Sequence, residues 1–143
     1  MKKVICVIAI ALMVVSVAFA AEKMMITAKD LPAYKGTWQG IIGFGMTDQY
    51  GSSPATLEIL NDAVPVKIKL TIANVPSYVA QQIGTLQAGQ NVFEGEAIIT
   101  SRGNLFLTGP TKNYLLITPL AKGKINMQYM YNVIQGSGEF KKK

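Results

Sequence analysis

Between Val66 and Ala73 apolar and polar residues alternate without a break: Val66, Ile68, Leu70 and Ile72 fall on one side, Lys67, Lys69 and Thr71 on the other. Side chains of a strand point alternately to its two faces, so this stretch predicts a strand with one buried and one wetted face. Such a face is characteristic of antiparallel sheet. Neighbouring strands must then come from the rest of the chain. No long helical pattern separates the strand-like runs, which argues against parallel βαβ units.

The runs are short and regularly punctuated. The first opens at Thr37 and carries the only tryptophan, Trp38, between Gly36 and Gly40. Gly43 to Pro54 breaks the chain, and Ala55 to Leu60 follows, with Leu57 and Ile59 on one face. Asn61-Asp62 is a turn before the Val66 strand, and Asn74 to Ser77 ends that strand. Tyr78 to Leu86 reads as strand or loop in preference to a helical turn, because Gly84 interrupts it. After a turn at Ala88 to Asn91 come Val92 to Ser101, a tight link at Arg102-Gly103-Asn104, and Leu105 to Thr108, which together predict a hairpin. Asn113 to Thr118 is next. Gly123 then starts a strand through Ile134 in which Ile125, Met127, Tyr129 and Tyr131 share a face opposite Asn126, Gln128, Met130 and Asn132. Gln135 to Ser137 separates it from a last strand at Gly138 to Lys141.

About eight strands at near-even spacing predict an all-β fold, an antiparallel up-and-down barrel with a β-sandwich as the alternative. Closure gives every strand two partners and leaves no edge exposed. Residues 34–143 form this single domain, preceded by a leader at 21–33 that lies against one barrel mouth.

Residues 1–20 have the order of a signal peptide: Lys2 and Lys3, an apolar run from Val4 to Val17, then Ala18-Phe19-Ala20 before a cut. The run is shorter than the ~20 apolar residues of a spanning helix. The expected product is exported, periplasmic or extracellular, and does not span the membrane once mature. Cleavage removes Cys6, the only cysteine, so no disulfide is expected. Most strand-like runs are shorter than the ~9–11 residues of a transmembrane strand, and this, with charges at Lys67, Lys69, Glu94 and Glu96, speaks against a membrane barrel.

Gly36-Thr37-Trp38 near the expected mature N-terminus, ahead of an all-β meander, resembles the lipocalin and avidin (calycin) group. The resemblance implies a barrel with Trp38 packed at its closed end, a short leader such as Asp30 to Tyr34 before it, and a basic residue of the last strand, Lys141 or Lys142, packed on the indole. It also implies a ligand-carrying interior. The group's helix after the barrel has no counterpart here.

The chain contains no histidine. With Cys6 removed, imidazole and thiolate metal ligands and Ser-His or Cys-His nucleophile pairs are excluded, and no cofactor, metal site or catalytic residue is assigned. Glu94 and Glu96, at i and i+2 on one strand, are the only close strand carboxylates; they read as a wetted face more simply than as a glycosidase pair. The whole chain carries 14 Lys and Arg against 8 Asp and Glu, a net +6. An exported chain whose basic stretches lack interleaved aromatics is not expected to bind nucleic acid.

The expected function is non-enzymatic binding of a small apolar or amphipathic ligand in a lipocalin-like barrel. Trp38, Met127, Tyr129 and Tyr131 are candidate walls, against the simpler role of core filling. The alternative is a solid-core module of the cell envelope that acts on a protein or an anionic surface through Lys67 and Lys69. A carboxylate-dependent glycan enzyme is the third and weakest reading.

Overall fold

In the computed structural model, residues 24–45, 48–109, 113–131 and 133–143 are described, with side chains for all of these except 131, 133 and 134. The expected signal peptide lies outside the described residues. Eight strands follow one another: β1 (Gly36–Phe44), β2 (Ser52–Ile59), β3 (Val66–Val75), β4 (Gly89–Ile99), β5 (Leu105–Thr108), β6 (Tyr114–Ala121), β7 (Lys124–Tyr131) and β8 (Val133–Lys142). Each pairs antiparallel with the next, and β8 returns to β1, so the sheet is a closed up-and-down barrel and not a sandwich.

The alternating pattern of β3 sets the inside. Val66, Ile68, Leu70 and Ile72 are at most 1% exposed, while Lys67 and Lys69 point outward. The same parity places Leu57 and Ile59 of β2 and Ile125, Met127 and Tyr129 of β7 in the core. Trp38, Tyr129, Phe44 and Phe140 are among the largest fully buried side chains, and they fill the barrel from one end to the other.

The seam between the first and last strands depends on glycine. A Cβ on Gly40 would overlap the Glu139 carbonyl and the Phe140 ring, and one on Gly138 would overlap the Ile41 carbonyl. Only residues without a side chain let β1 and β8 approach this closely. This corrects the expected turn at Gln135 to Ser137. Those residues lie within β8, and the strand expected from Gly123 to Ile134 is two strands, with β7 ending at Tyr131 and β8 starting at Val133. The glycines of this region serve close approach, not a turn.

Two short helices close the ends. The leader enters by a hydrogen bond from Ile26 N to Gly103 O (2.8 Å) and then forms α1 (Leu31–Tyr34), with Ile26, Leu31 and Tyr34 buried. At the opposite end α2 (Ser77–Gln82) occupies the stretch expected as strand or loop. Val79 and Ile83, four residues apart, share one helical face and bury against the barrel end together with Leu86. Gly84 follows the helix; it does not prevent it. β2 also begins at Ser52, ahead of the expected Ala55, where Ser53 Oγ accepts a hydrogen bond from Asn74 N (2.9 Å).

Candidate functional site

The barrel has two unlike ends. At the α1 end, Trp38 is 1% exposed and stacks on Tyr34, with centroids 6.0 Å apart and planes at 17°. Its indole N–H donates to Tyr34 O at 2.8 Å. Lys142, paired with Trp38 across the seam, places its ammonium 5.9 Å from the indole centroid and donates to Ala33 O at 2.6 Å. Lys142 thus fills the place expected for a basic residue of the last strand. A cleft of about 740 Å³ opens beside it, bordered by Met24, Met25, Tyr34, Lys122, Lys142 and Trp38 itself. Asp30 also borders the cleft, but its carboxylate accepts from Thr27 N (2.9 Å) and Thr27 Oγ1 (2.6 Å), and these bonds hold its pKa below the usual value. Burial, and the charge of Asp30 after it, push the Tyr34 phenol up.

At the α2 end, polar groups enter an otherwise apolar interior. The Tyr129 hydroxyl makes a short hydrogen bond with Thr85 Oγ1, and Asn113 Nδ2 donates to it over 3.5 Å. Burial raises the Tyr129 pKa, and the two hydrogen bonds oppose that shift. Phe93 packs on the Tyr129 ring, centroids 5.2 Å apart. Asn91, 8% exposed, closes the turn after α2: its Oδ1 accepts from Gln87 N (2.9 Å) and its Nδ2 donates to Gln87 O (2.7 Å). Among the described residues, Asn113 Oδ1 and Gln135 Oε1 are buried without a hydrogen-bond partner. Buried polar atoms are rarely left so. The covering stretch from Asn74 to Gln90 contains no Asp, Glu, Lys or Arg.

The four candidate wall residues do not converge on one pocket. Trp38 belongs to the α1 end. Met127, fully buried, lies on β7 one inward position from Tyr129, which belongs to the α2 end. Tyr131 closes β7, and its side chain is outside the described residues. Asn126 and Gln128 face outward between them.

The outer wall of β2–β4 carries a ladder of opposed charges. Glu58 pairs with Lys69 and Lys69 with Glu94, while Lys67 lies opposite Glu96. Lys69 Nζ is 3.6 Å from Glu94 Oε1. Lys67 and Lys69 thus sit among carboxylates, and Glu94 and Glu96 face solvent across from lysines, bordering a shallow, open depression of about 260 Å³ with Leu60 and Lys67. Among the described residues no three His, Cys, Asp or Glu side chains group to hold a metal, and no helix is long and apolar enough to cross a membrane.

Thr85, Asn91 and Asn113 were not singled out by the sequence. They stand in turn-like stretches whose partners are distant in the chain; Thr85 and Tyr129 are 44 residues apart. Short polar residues at turns normally serve the backbone locally, which gives no signal of an inward role.

No family model, curated protein or solved structure matches this chain. What the fold and both ends define is an eight-stranded, antiparallel, closed β-barrel, compatible with a calycin-like architecture.

Proposed function

We propose that this barrel is an exported, calycin-like binding protein that holds a small apolar or amphipathic molecule at the end covered by α2. One observation carries the reading: the hydroxyl and amide groups of Tyr129, Thr85 and Asn113 meet inside an apolar barrel end, beneath a segment without charged side chains. Ligand pockets are mostly apolar with a few polar groups that fix orientation. Phe93, Met127 and Tyr129 supply apolar wall, and Thr85 and Asn113 supply the anchor. Uptake requires Val79, Ile83 and Leu86 to swing out, leaving space that a ligand's apolar body refills. Trp38 then has a structural task at the other end.

A second reading is a solid-core envelope module that acts through its outer wall. The density of fully buried side chains between Trp38 and Tyr129 favours it.

Titration with a lipophilic fluorescent probe such as N-phenyl-1-naphthylamine separates the two. Saturable binding that weakens in Asn113→Leu, with Lys67→Gln/Lys69→Gln unchanged, supports the carrier. Absence of saturable binding by the intact, folded protein supports the solid module.

A further inference from the structure

We infer that the α1 end of the barrel is a docking surface for an anionic lipid membrane, independently of what the barrel holds. Charge is distributed unequally along the barrel axis. Around the α2 end, the loops 45–51, 76–88 and 109–113 and the β7–β8 connection contribute Asp48 among the described residues, and the sequence adds Lys112, outside them. The α1 end gathers Lys29, Lys122 and the run Lys141 to Lys143 from the leader, the β6–β7 turn and the chain terminus.

The acids at this end do not cancel these lysines. Asp62 lies 4.0 Å from Lys35 and Glu139 lies 3.5 Å from Lys124, and Asp30, which stays ionised, offsets one charge among Lys29, Lys122, Lys141 and Lys143. Lys122, Lys141 and Lys143 are exposed, and none has a carboxylate within ion-pair distance among the described residues. Their surplus charge attracts a negatively charged surface.

Apolar side chains stand beside these cations. Met24 and Met25 are 38% and 48% exposed at the rim of the cleft that Lys122 also borders. Lysines around protruding apolar side chains are the composition of a protein face that sits in the headgroup region of a bilayer. Charge complementarity and the exposed methionines thus point to the same occupant.

The test is co-sedimentation of the exported protein, as recovered from its compartment, with vesicles of phosphatidylcholine alone or mixed with phosphatidylglycerol. Two variants of equal net charge are compared: Lys122→Gln/Lys143→Gln at the α1 end and Lys67→Gln/Lys69→Gln on the wall. The expected result is binding to the mixed vesicles only, weakening as salt shortens the Debye length below ~8 Å. The α1-end pair should bind about 30-fold more weakly, at roughly fivefold per lysine, with the wall pair within about twofold of the parent. Equal losses in both pairs would show attraction by net charge alone and overturn the proposal. So would equal binding to both vesicles, no binding to either, or tighter binding to free polyphosphate than to the mixed vesicles at matched charge, which would assign the surface to a soluble anion.

Discussion

Lys142 stands opposite Trp38 where the last strand meets the first, with its ammonium 5.9 Å from the indole centroid and bonded to Ala33 O at 2.6 Å. One side chain thereby joins β8, β1 and the leader. Closure of the barrel and capping of its α1 end are therefore coupled. Lys142→Met keeps the alkyl stem but removes the cation; it should cost ~1–2 kcal/mol, an exposed cation–π contact of ~0.5–1 plus a solvent-screened hydrogen bond of ~0.5–1. Trp38→Ala should cost ~3–5 kcal/mol. In the double variant the two losses should fall short of additive, measured by urea unfolding, because they share one contact.

The β1–β8 seam predicts a difference among glycines. Gly40→Ala and Gly138→Ala place a methyl group on the facing backbone and should each lower stability by more than ~1–3 kcal/mol, the usual range for overpacking. Gly84 has open space around the position of an added Cβ, so Gly84→Ala should change stability by under ~1 kcal/mol in either direction. Melting temperatures of the three variants decide this; a tolerated methyl group at Gly138 would mean that the seam is looser than described.

The same glycines show where the sequence was readable and where it was not. The strict alternation of Val66 to Ile72 and of Ile125 to Tyr129 reports strand and face directly, because each side chain's burial depends only on its parity. Gly36-Thr37-Trp38 identified the first strand, and the basic partner of Trp38 was expected at one of two adjacent lysines. Gly136 reads as a turn although it lies within β8, since a glycine needed for close backbone approach looks in sequence like one needed for a turn. The α2 helix was hidden because it is held by Val79 and Ile83 packing on distant strands, and a six-residue helix has little stability of its own. For the same reason the Tyr129–Thr85–Asn113 cluster is not legible in the sequence: parity gives Tyr129 an inward face, but its partners are set by barrel closure.

Alkaline pH should expose the buried phenols. Burial raises the pKa of Tyr129, and of Tyr34, above that in the unfolded chain. The folded state therefore favours the neutral phenol. This contribution is fully present below the unfolded value of about 10 and is lost as pH rises through the folded value. The parent protein should lose melting temperature steadily above pH ~10. Tyr129→Phe should start lower, having left Thr85 and Asn113 without a partner, but should decline less steeply over the same range. Parallel curves would show that Tyr129 ionises as freely in the barrel as in the unfolded chain.

The most direct test of the binding reading is amide chemical-shift mapping of the isotope-labelled protein titrated with N-phenyl-1-naphthylamine. Saturable shifts should be largest at Val79, Ile83 and Thr85 in and after α2, and at Asn91, Asn113 and Tyr129 beneath it, while Trp38 and Lys142 move little. Shifts confined to the Trp38–Lys142 end, or no saturable shift anywhere in the folded protein, would contradict the assignment of the α2 end as a ligand site.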